Sequence, residues 1–435
     1  MARRNLFWLI AVSVVSLVCY QKVQNNRYGR ILVDAMGQIE RRYVEPVTSE
    51  ALFAGAMDGM MRKLDDPYSD YISPEMLKAL NATLEQEFGG VGIEVTMDPQ
   101  TKQLTVIAPM AGTPADRADM RAGDKILRIG DRSTQGLSLE DAVRLMRGKK
   151  GEPVVLTVLH EGDQKPVEIK LVREIIHVDS VTGDRRNPDG TWNFFLEGPD
   201  RIGYVRINTF AKETVGELKR ALSWLVDHDM QGLVLDLRGN AGGLLKAAID
   251  VCDQFIDAGV IVTIRGRDQK EIRPPYEADG KGAFVSFPLA VLVNRGSASA
   301  SEIVAACLQD HERAVIVGER TYGKGTVQEV IDLPDDLGAL KLTTATYWRP
   351  SGKDINKRKN VGEAGEWGVQ PDKGYEVKVE PEELARLRMQ RLNRELHKRP
   401  GNGAEPPGKG AEPVVDRQLA KAVEYIKAKL RSKED

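Results

Sequence analysis

Ser299 lies in Asn-Arg-Gly-Ser-Ala-Ser-Ala-Ser-Glu (Asn294 to Glu302), and Lys324 lies in Glu-Arg-Thr-Tyr-Gly-Lys-Gly-Thr-Val-Gln (Glu319 to Gln328). This pairing suggests a serine nucleophile served by a lysine base. A serine hydroxyl is too weakly acidic to attack a carbonyl unaided, and a lysine takes its proton once burial lowers the amine's pKa. Glycines on both sides of Lys324 let the backbone pass close to other chain. Gln328, four residues on, would hold the amine by a hydrogen bond. A rival reading is a phosphate loop, because Gly318 to Lys324 spells G-x-x-x-x-G-K. It fails at Gly325, where magnesium needs a Ser or Thr, and at Thr326 to Leu333, which reads as a strand where a helix is required.

The elements around these residues alternate. Ile202 to Ile207, Gly232 to Leu237, Leu289 to Val293 and Ala314 to Val317 are short apolar runs suited to buried strands. Thr214 to His228, Leu244 to Phe255 and Ser301 to Gln309 carry helical periodicity, so the layout is α/β. The turn Arg238 to Gly243 joins a strand to a helix N-terminus, where free N–H groups favour negative charge. An oxyanion hole would use the backbone N–H of Ala300 and that of Gly242 or Gly243, with the choice between the glycines open.

Upstream, Phe88-Gly89-Gly90-Val91-Gly92-Ile93-Glu94 is a glycine-rich turn entering a strand. Val106 to Ala111, Gly123 to Leu127 and Val154 to Leu159 add short strands, and Leu139 to Arg147 a helix. This order resembles a PDZ domain, whose glycine loop offers N–H groups to a terminal carboxylate while the peptide adds as a strand. On that reading Phe88 to Ile93 bind the peptide, and Arg147 is either a charge at the groove or a solvated surface residue.

As a set, the motifs resemble the carboxyl-terminal processing peptidases from about Tyr28 to Asp372. They include Asp-Leu-Arg-Gly-Asn-Ala-Gly-Gly (Asp236 to Gly243), the Ser299 and Lys324 segments, and Gly-Val-Gln-Pro-Asp (Gly368 to Asp372). The resemblance implies that Ser299 is the nucleophile, Lys324 the general base and Gln328 its orienting residue. It implies a structural role for Asp310, and none in chemistry for the stretch Asp65 to Tyr71. The fold implied is an α/β serine-protease core with an inserted PDZ-like domain and an N-terminal helical segment. Its expected limits are 1–27 for an anchor, 28–80 for the helical segment, 81–173 for the PDZ-like part and 174–380 for the core. A charged helix, a Pro/Gly-rich linker from Pro400 to Pro413 and an amphipathic helix from Asp416 to Leu430 complete the chain to 435.

Lys plus Arg number 62 against 64 Asp plus Glu, a formal charge of −2, so nothing advertises a nucleic-acid partner. Cys19 lies in the N-terminal apolar run, and Cys252 and Cys307 sit in helical apolar patterns typical of buried thiols. Arg3 and Arg4 precede an apolar run from Leu6 to Tyr20, short of the roughly 20 residues that span a bilayer comfortably. The favoured reading is an uncleaved membrane anchor, with the basic end in the cytoplasm and the body on the periplasmic or extracytoplasmic side. His311, in a charged turn, reads as solvated. His160, His177, His228 and His397 have no matching Asp or Ser motif, and no cluster has metal-ligand spacing. No metal and no cofactor is expected.

The reading is a serine endopeptidase that takes the C-terminal tails of exported or membrane proteins and cleaves through an acyl-enzyme. A homo-oligomer or an activating partner stays open. A peptide-binding scaffold with a spent site is opposed by the intact Ser299, Lys324 and Gln328. A small-ester hydrolase would leave the PDZ-like segment superfluous.

Overall fold

A computed structural model describes residues 27–98, 101–118, 120–280, 284–358, 361–362, 364–395 and 414–434. The expected anchor and the Pro/Gly-rich linker lie outside them. Among the described residues, no helix is long and apolar enough to cross a membrane. The chain forms two compact units. One is the chain up to Leu77 with Gln328–Thr343, and the other is Lys78–Val327 with Thr344 onward.

The first unit opens with α1 (Arg27–Arg42) and α2 (Ser49–Lys63). Thr48 caps α2 by accepting from the Ala51 N–H at 3.2 Å. Asp66 ends the helical pair by accepting from the Tyr68 N–H and from the Ser69 hydroxyl at 2.6 Å. Tyr71, in β1 (Asp70–Ile72), packs on Met57 and Met61, and β1 pairs antiparallel with residues 339–341. Residues 328–343 therefore leave the core in which they were expected. Their apolar side chains Leu333, Leu340 and Leu342 find cover against that small cluster.

In the second unit α3 (Pro74–Glu85, continuing from the first) leads to β2 (Glu87–Gly90), followed by β3 (Ile93–Met97), β4 (Leu104–Pro109), α4 (Pro114–Arg117), β5 (Lys125–Ile129) and β6 (Arg132–Ser133). Next come α5 (Leu139–Met146), β7 (Pro153–Leu159), β8 (Val167–Val172) and β9 (Glu174–His177). β3 to β8 form one antiparallel sheet with β3 at its edge, closed over Leu104, Val106, Ile126, Leu156 and Val158. Ser138 caps α5 at its start. At its end the Arg173 guanidinium donates to the Leu145 and Met146 carbonyls, both at 2.9 Å, which leaves these terminal acceptors satisfied.

The α/β core follows: β10 (Val181–Thr182), β11 (Arg185–Arg186), β12 (Trp192–Asn193), β13 (Ile202–Ile207), α6 (Thr214–Asp227), β14 (Gly232–Asp236) and α7 (Leu245–Asp253). It continues through β15 (Val260–Arg265), β16 (Tyr276–Glu277), β17 (Leu289–Val293), α8 (Ala300–Asp310) and β18 (Val315–Gly318). Strands β13, β14, β17 and β18 run parallel, with β10 antiparallel at one edge. Alternation divides their side chains: Val205, Leu233, Leu235, Val291 and Ile316 face α6, α7 and α8, and both cysteines outside the N-terminal run are buried in that same layer.

β19 (Thr326–Asp332), β20 (Ala339–Trp348), α9 (Pro381–Glu395) and α10 (Arg417–Glu434) close the chain. Helix α10 docks on its parent domain. Its Ala422 and Ile426 cover Tyr204, Val234 and Leu292 on the second face of the sheet. Gly232 allows the approach, since a Cβ there would stand 2.4 Å from Ile426 Cγ2. Ile426→Ala is expected to cost about 2–5 kcal/mol, the range for emptying a buried aliphatic site. Chemical denaturation followed by circular dichroism checks it, and an unchanged midpoint contradicts the docking.

Candidate active site

Ser299 is the residue before α8 and is buried, with φ 55° and ψ −113°. A non-glycine residue pays on the order of 1–3 kcal/mol to stay in such backbone, so neighbouring bonds must hold it. Asn240 supplies one set. Its carbonyl accepts from the Ala298 N–H at 3.0 Å and the Ser301 hydroxyl at 2.8 Å, while its side-chain Nδ2 donates to the Ile207 carbonyl at 2.8 Å. The serine turn is thereby tied to the Arg238–Gly243 turn at the end of β14. Gly242 fits directly against it: φ is 107°, and a Cβ would lie 2.8 Å from Ser299 Cβ.

Glu302 supplies the other set. This carboxylate, wholly buried in the first turn of α8, accepts from the Ser299 N–H at 2.9 Å and the Lys324 N–H at 2.8 Å on one oxygen. Its second oxygen accepts from the Gly323 N–H and the Thr321 hydroxyl, both at 2.6 Å. Thr321 Oγ1 also accepts from the Val369 N–H, which turns its proton toward Glu302. Burial pushes the carboxyl up to about 7 against the lowering effect of these bonds. Four donors and no acceptor is the environment of the ionised form. Ser299 and Lys324, expected as partners, thus have their backbones on the same oxygen atom. Glu302 closes the serine motif, but its role was missed, because its donors other than Ser299 come from residues 19 to 22 positions away.

The two oxyanion glycines differ. The Gly242 N–H is taken by Asn240 Oδ1 at 2.9 Å. Gly243 forms a parallel bridge with Phe210 in which Gly242 O accepts from the Phe210 N–H and Leu244 N–H donates to Phe210 O. That pattern turns the Gly243 N–H away from Phe210. Ala300 is the first residue of α8, where backbone N–H groups have no intrahelical partner. Gln328 sits on β19 in the first unit and donates to Thr343 Oγ1 at 3.2 Å. Asp310 is at the far end of α8, paired with Arg349 and accepting from the Ser351 N–H at 3.0 Å, a structural placement.

The peptide-binding stretch divides. Phe88, Gly89 and Gly90 belong to β2 and pair with β9, so they form a ribbon and not an open turn. Val91 and Gly92 are the turn that enters the edge strand β3 at Ile93, and the Thr113 hydroxyl reaches the Gly92 carbonyl at 3.1 Å. Arg147 is exposed, as a surface arginine would be, and stacks on Phe88 at 4.4 Å to the ring centroid. A cleft of about 930 Å³ runs past Ile93, Gly112 and Arg147 to Trp192 and Thr209. Thr209 in turn touches the glycine turn, its hydroxyl 3.2 Å from the Gly242 carbonyl.

His311 is packed, against expectation. It ends α8 with Nε2 2.8 Å from the Val260 carbonyl and its ring against Gly259. His160 faces Asp124 and His177 faces Glu217, and neither pair includes Ser299. His177, Asp179 and Glu217 bring one ligand atom each within 4.8 Å of one another, a convergence that linear spacing could not reveal. Their oxygens are engaged: Glu217 Oε2 accepts from the Ser180 and Val181 N–H groups, and Asp179 Oδ2 from Trp192 Nε1.

This is an α/β serine-hydrolase layout joined to a PDZ sheet, and comparison with known proteins gives it a family. Residues 201–374 match peptidase family S41, 105–159 a PDZ domain, and 20–76 the N-terminal domain of the activating protease CtpB. The carboxy-terminal-processing protease of Bartonella bacilliformis is 37% identical over 407 residues, covering 88% of each chain. The carboxyl-terminal-processing protease of Synechocystis is 36% identical over 342 residues, 78% of this chain and 74% of that one. The chloroplastic C-terminal processing peptidase of Tetradesmus obliquus is 36% identical over 78% of this chain and 71% of its own. The chain belongs to the carboxyl-terminal processing proteases of peptidase family S41, and it is a serine-type peptidase.

Proposed function

We propose that this peptidase recognises the C-terminal tails of exported or membrane proteins and cuts within them through an acyl-enzyme at Ser299. Neutral Lys324 takes the Ser299 Oγ proton as Oγ adds to the scissile carbonyl carbon. The N–H groups of Ala300 and Gly243 hold the resulting oxyanion. The ammonium of Lys324 returns the proton to the leaving amine as the C–N bond breaks. Water then gives a proton to Lys324 as its oxygen adds to the ester carbonyl carbon, and Lys324 returns that proton to Ser299 Oγ as the ester C–O bond breaks. Gln328 holds the amine, so Gln328→Ala slows turnover more than it weakens substrate binding. The observation that carries this reading is the common anchoring of Ser299 and Lys324 on Glu302 beside the Gly242–Gly243 turn.

Tail recognition is supported by the edge strand β3, whose Ile93 and Glu94 share one cleft with the Arg147 cation. A peptide with a free apolar C-terminus is expected to be cleaved roughly 10- to 100-fold better than its amide, the worth of hydrogen bonds to a charged group. Competition between the two peptides, read by mass spectrometry, tests this. Equal cleavage would remove C-terminal selection. The basic Arg3 and Arg4 ahead of the apolar run Leu6 to Tyr20 support a body tethered to the membrane on its extracytoplasmic side.

A further inference from the structure

Glu302 takes no part in the bond making and breaking above, yet it is the most heavily engaged side chain beside Ser299. A glutamate at the third position of a helix ordinarily reaches back to the N-cap N–H, and that role needs one acceptor and one donor. Here Ser299 supplies that donor, and three more come from Thr321, Gly323 and Lys324, a segment that capping does not require. The arrangement is selective in what it joins. One oxygen holds the N–H of the nucleophile together with the N–H of the base. The other holds Gly323 and Thr321, and Thr321 is itself locked by the Val369 N–H at 2.8 Å.

We propose that Glu302 is a positioning residue for catalysis: a single buried carboxylate that sets the serine turn and the lysine turn in mutual register. Ser299 sits in a backbone conformation it would not keep alone, and Lys324 follows a turn with glycine on either side. Without a shared anchor each turn relaxes separately, and the distance between Oγ and the amine is no longer determined. Proton transfer fails with small displacements, so the cost falls on turnover and not on tail binding, which uses a different surface.

This inference rests on Ser299 and Lys324 being nucleophile and base, and the test separates the two. Glu302→Gln keeps the shape but puts an amide NH2 where either the Ser299 and Lys324 N–H groups or the Gly323 N–H and Thr321 hydroxyl already point, so the pair of contacts at that atom is lost. In the full-length protein, kcat per titrated active site is expected to fall about 100-fold with KM within about threefold of wild type. Labelling of Ser299 by a fluorophosphonate should slow in parallel, while thermal unfolding stays cooperative. A residue that only stabilises the fold would lower the melting temperature and leave turnover per active site unchanged.

Thr321→Val, which removes one donor to the same carboxylate, gives a second reading if the glutamine variant does not fold. About a tenfold loss in kcat is expected, the worth of one hydrogen bond to a charged group. A kcat within threefold of wild type in a folded Glu302→Gln protein, a loss confined to KM, or unfolding of both variants would overturn the proposal. Cleavage by Ser299→Ala would overturn the acyl-enzyme reading instead, whatever Glu302 does.

Discussion

Ser299→Ala and Lys324→Ala are each expected to lower peptide turnover by a factor on the order of 10⁴ or more, and the double variant by little beyond that. Groups that act in one proton transfer are not additive: once the base is gone the hydroxyl gains nothing from its place, and the reverse holds. Lys324→Arg should fail as well, because a guanidinium stays protonated and has no lone pair to accept the proton. The Ser299 and Lys324 contacts with Glu302 are made by backbone N–H groups and survive both changes. Circular dichroism should therefore match the wild type while hydrolysis of a free-tail peptide, measured over days, stays near background. Substantial hydrolysis by Lys324→Ala at neutral pH would remove the lysine from the mechanism, and separate, multiplying losses would mean that the two residues act in different steps.

Asp236→Ala is expected to destabilise the core by about 3–5 kcal/mol, the cost of breaking a buried charge pair from one side. Asp236 ends β14 with no exposed surface, and it faces Arg238 at 2.7 Å, Arg206 at 3.4 Å and the Tyr204 hydroxyl at 2.6 Å. Its Oδ1 also accepts from the Arg238 N–H at 2.9 Å, which starts the turn leading to Gly242. Burial alone would raise this carboxyl, but the two guanidiniums and the hydrogen bonds outweigh it and hold it well below the usual carboxylate range. The same burial, with Asp236 beside it, drives the Tyr204 phenol up to about 12. Removing the carboxylate leaves Arg238 only Asp416 as a counter-charge and takes the acceptor away from the buried Tyr204 hydroxyl. Asp236→Asn should lose less, since an amide can still meet Tyr204. The sign of the pH effect follows from the lowered folded-state value. The contribution is fully present above the unfolded carboxyl's value of about 3.9 and is lost as pH falls below it. Denaturant titrations at neutral pH and at pH 3 check both statements: the gap between wild type and Asp236→Ala should narrow in acid. A variant as stable as wild type at neutral pH would contradict the network.

Much of the second unit was legible in the sequence because strands and helices are written in short-range periodicity. Ile202–Ile207 and Leu289–Val293 have the expected bounds, and α6 to α8 agree to within a residue or two. The glycine and small-residue motifs located the turns that carry Ser299, Lys324 and Gly242–Gly243. The apolar stripe of α10 could be read along the chain, whereas its docking face required knowing that the sheet left Tyr204, Val234 and Leu292 to be covered.

What the tertiary structure alone decided were the hydrogen-bond partners brought from far along the chain. Asn240 spends the Gly242 N–H, so the two glycines, equal as letters, are unequal as donors. β9 captures Phe88 to Gly90 from more than eighty residues away and turns half of an expected loop into a ribbon. β1 draws residues 339–341 out of the expected core. Glu302 passed as the last letter of a serine motif until Thr321, Gly323 and Lys324 closed around it. Side-chain periodicity reports which face of an element is buried, because the chain's own geometry repeats. It carries no record of which distant donor a buried acceptor will meet, since that is set by how whole elements pack.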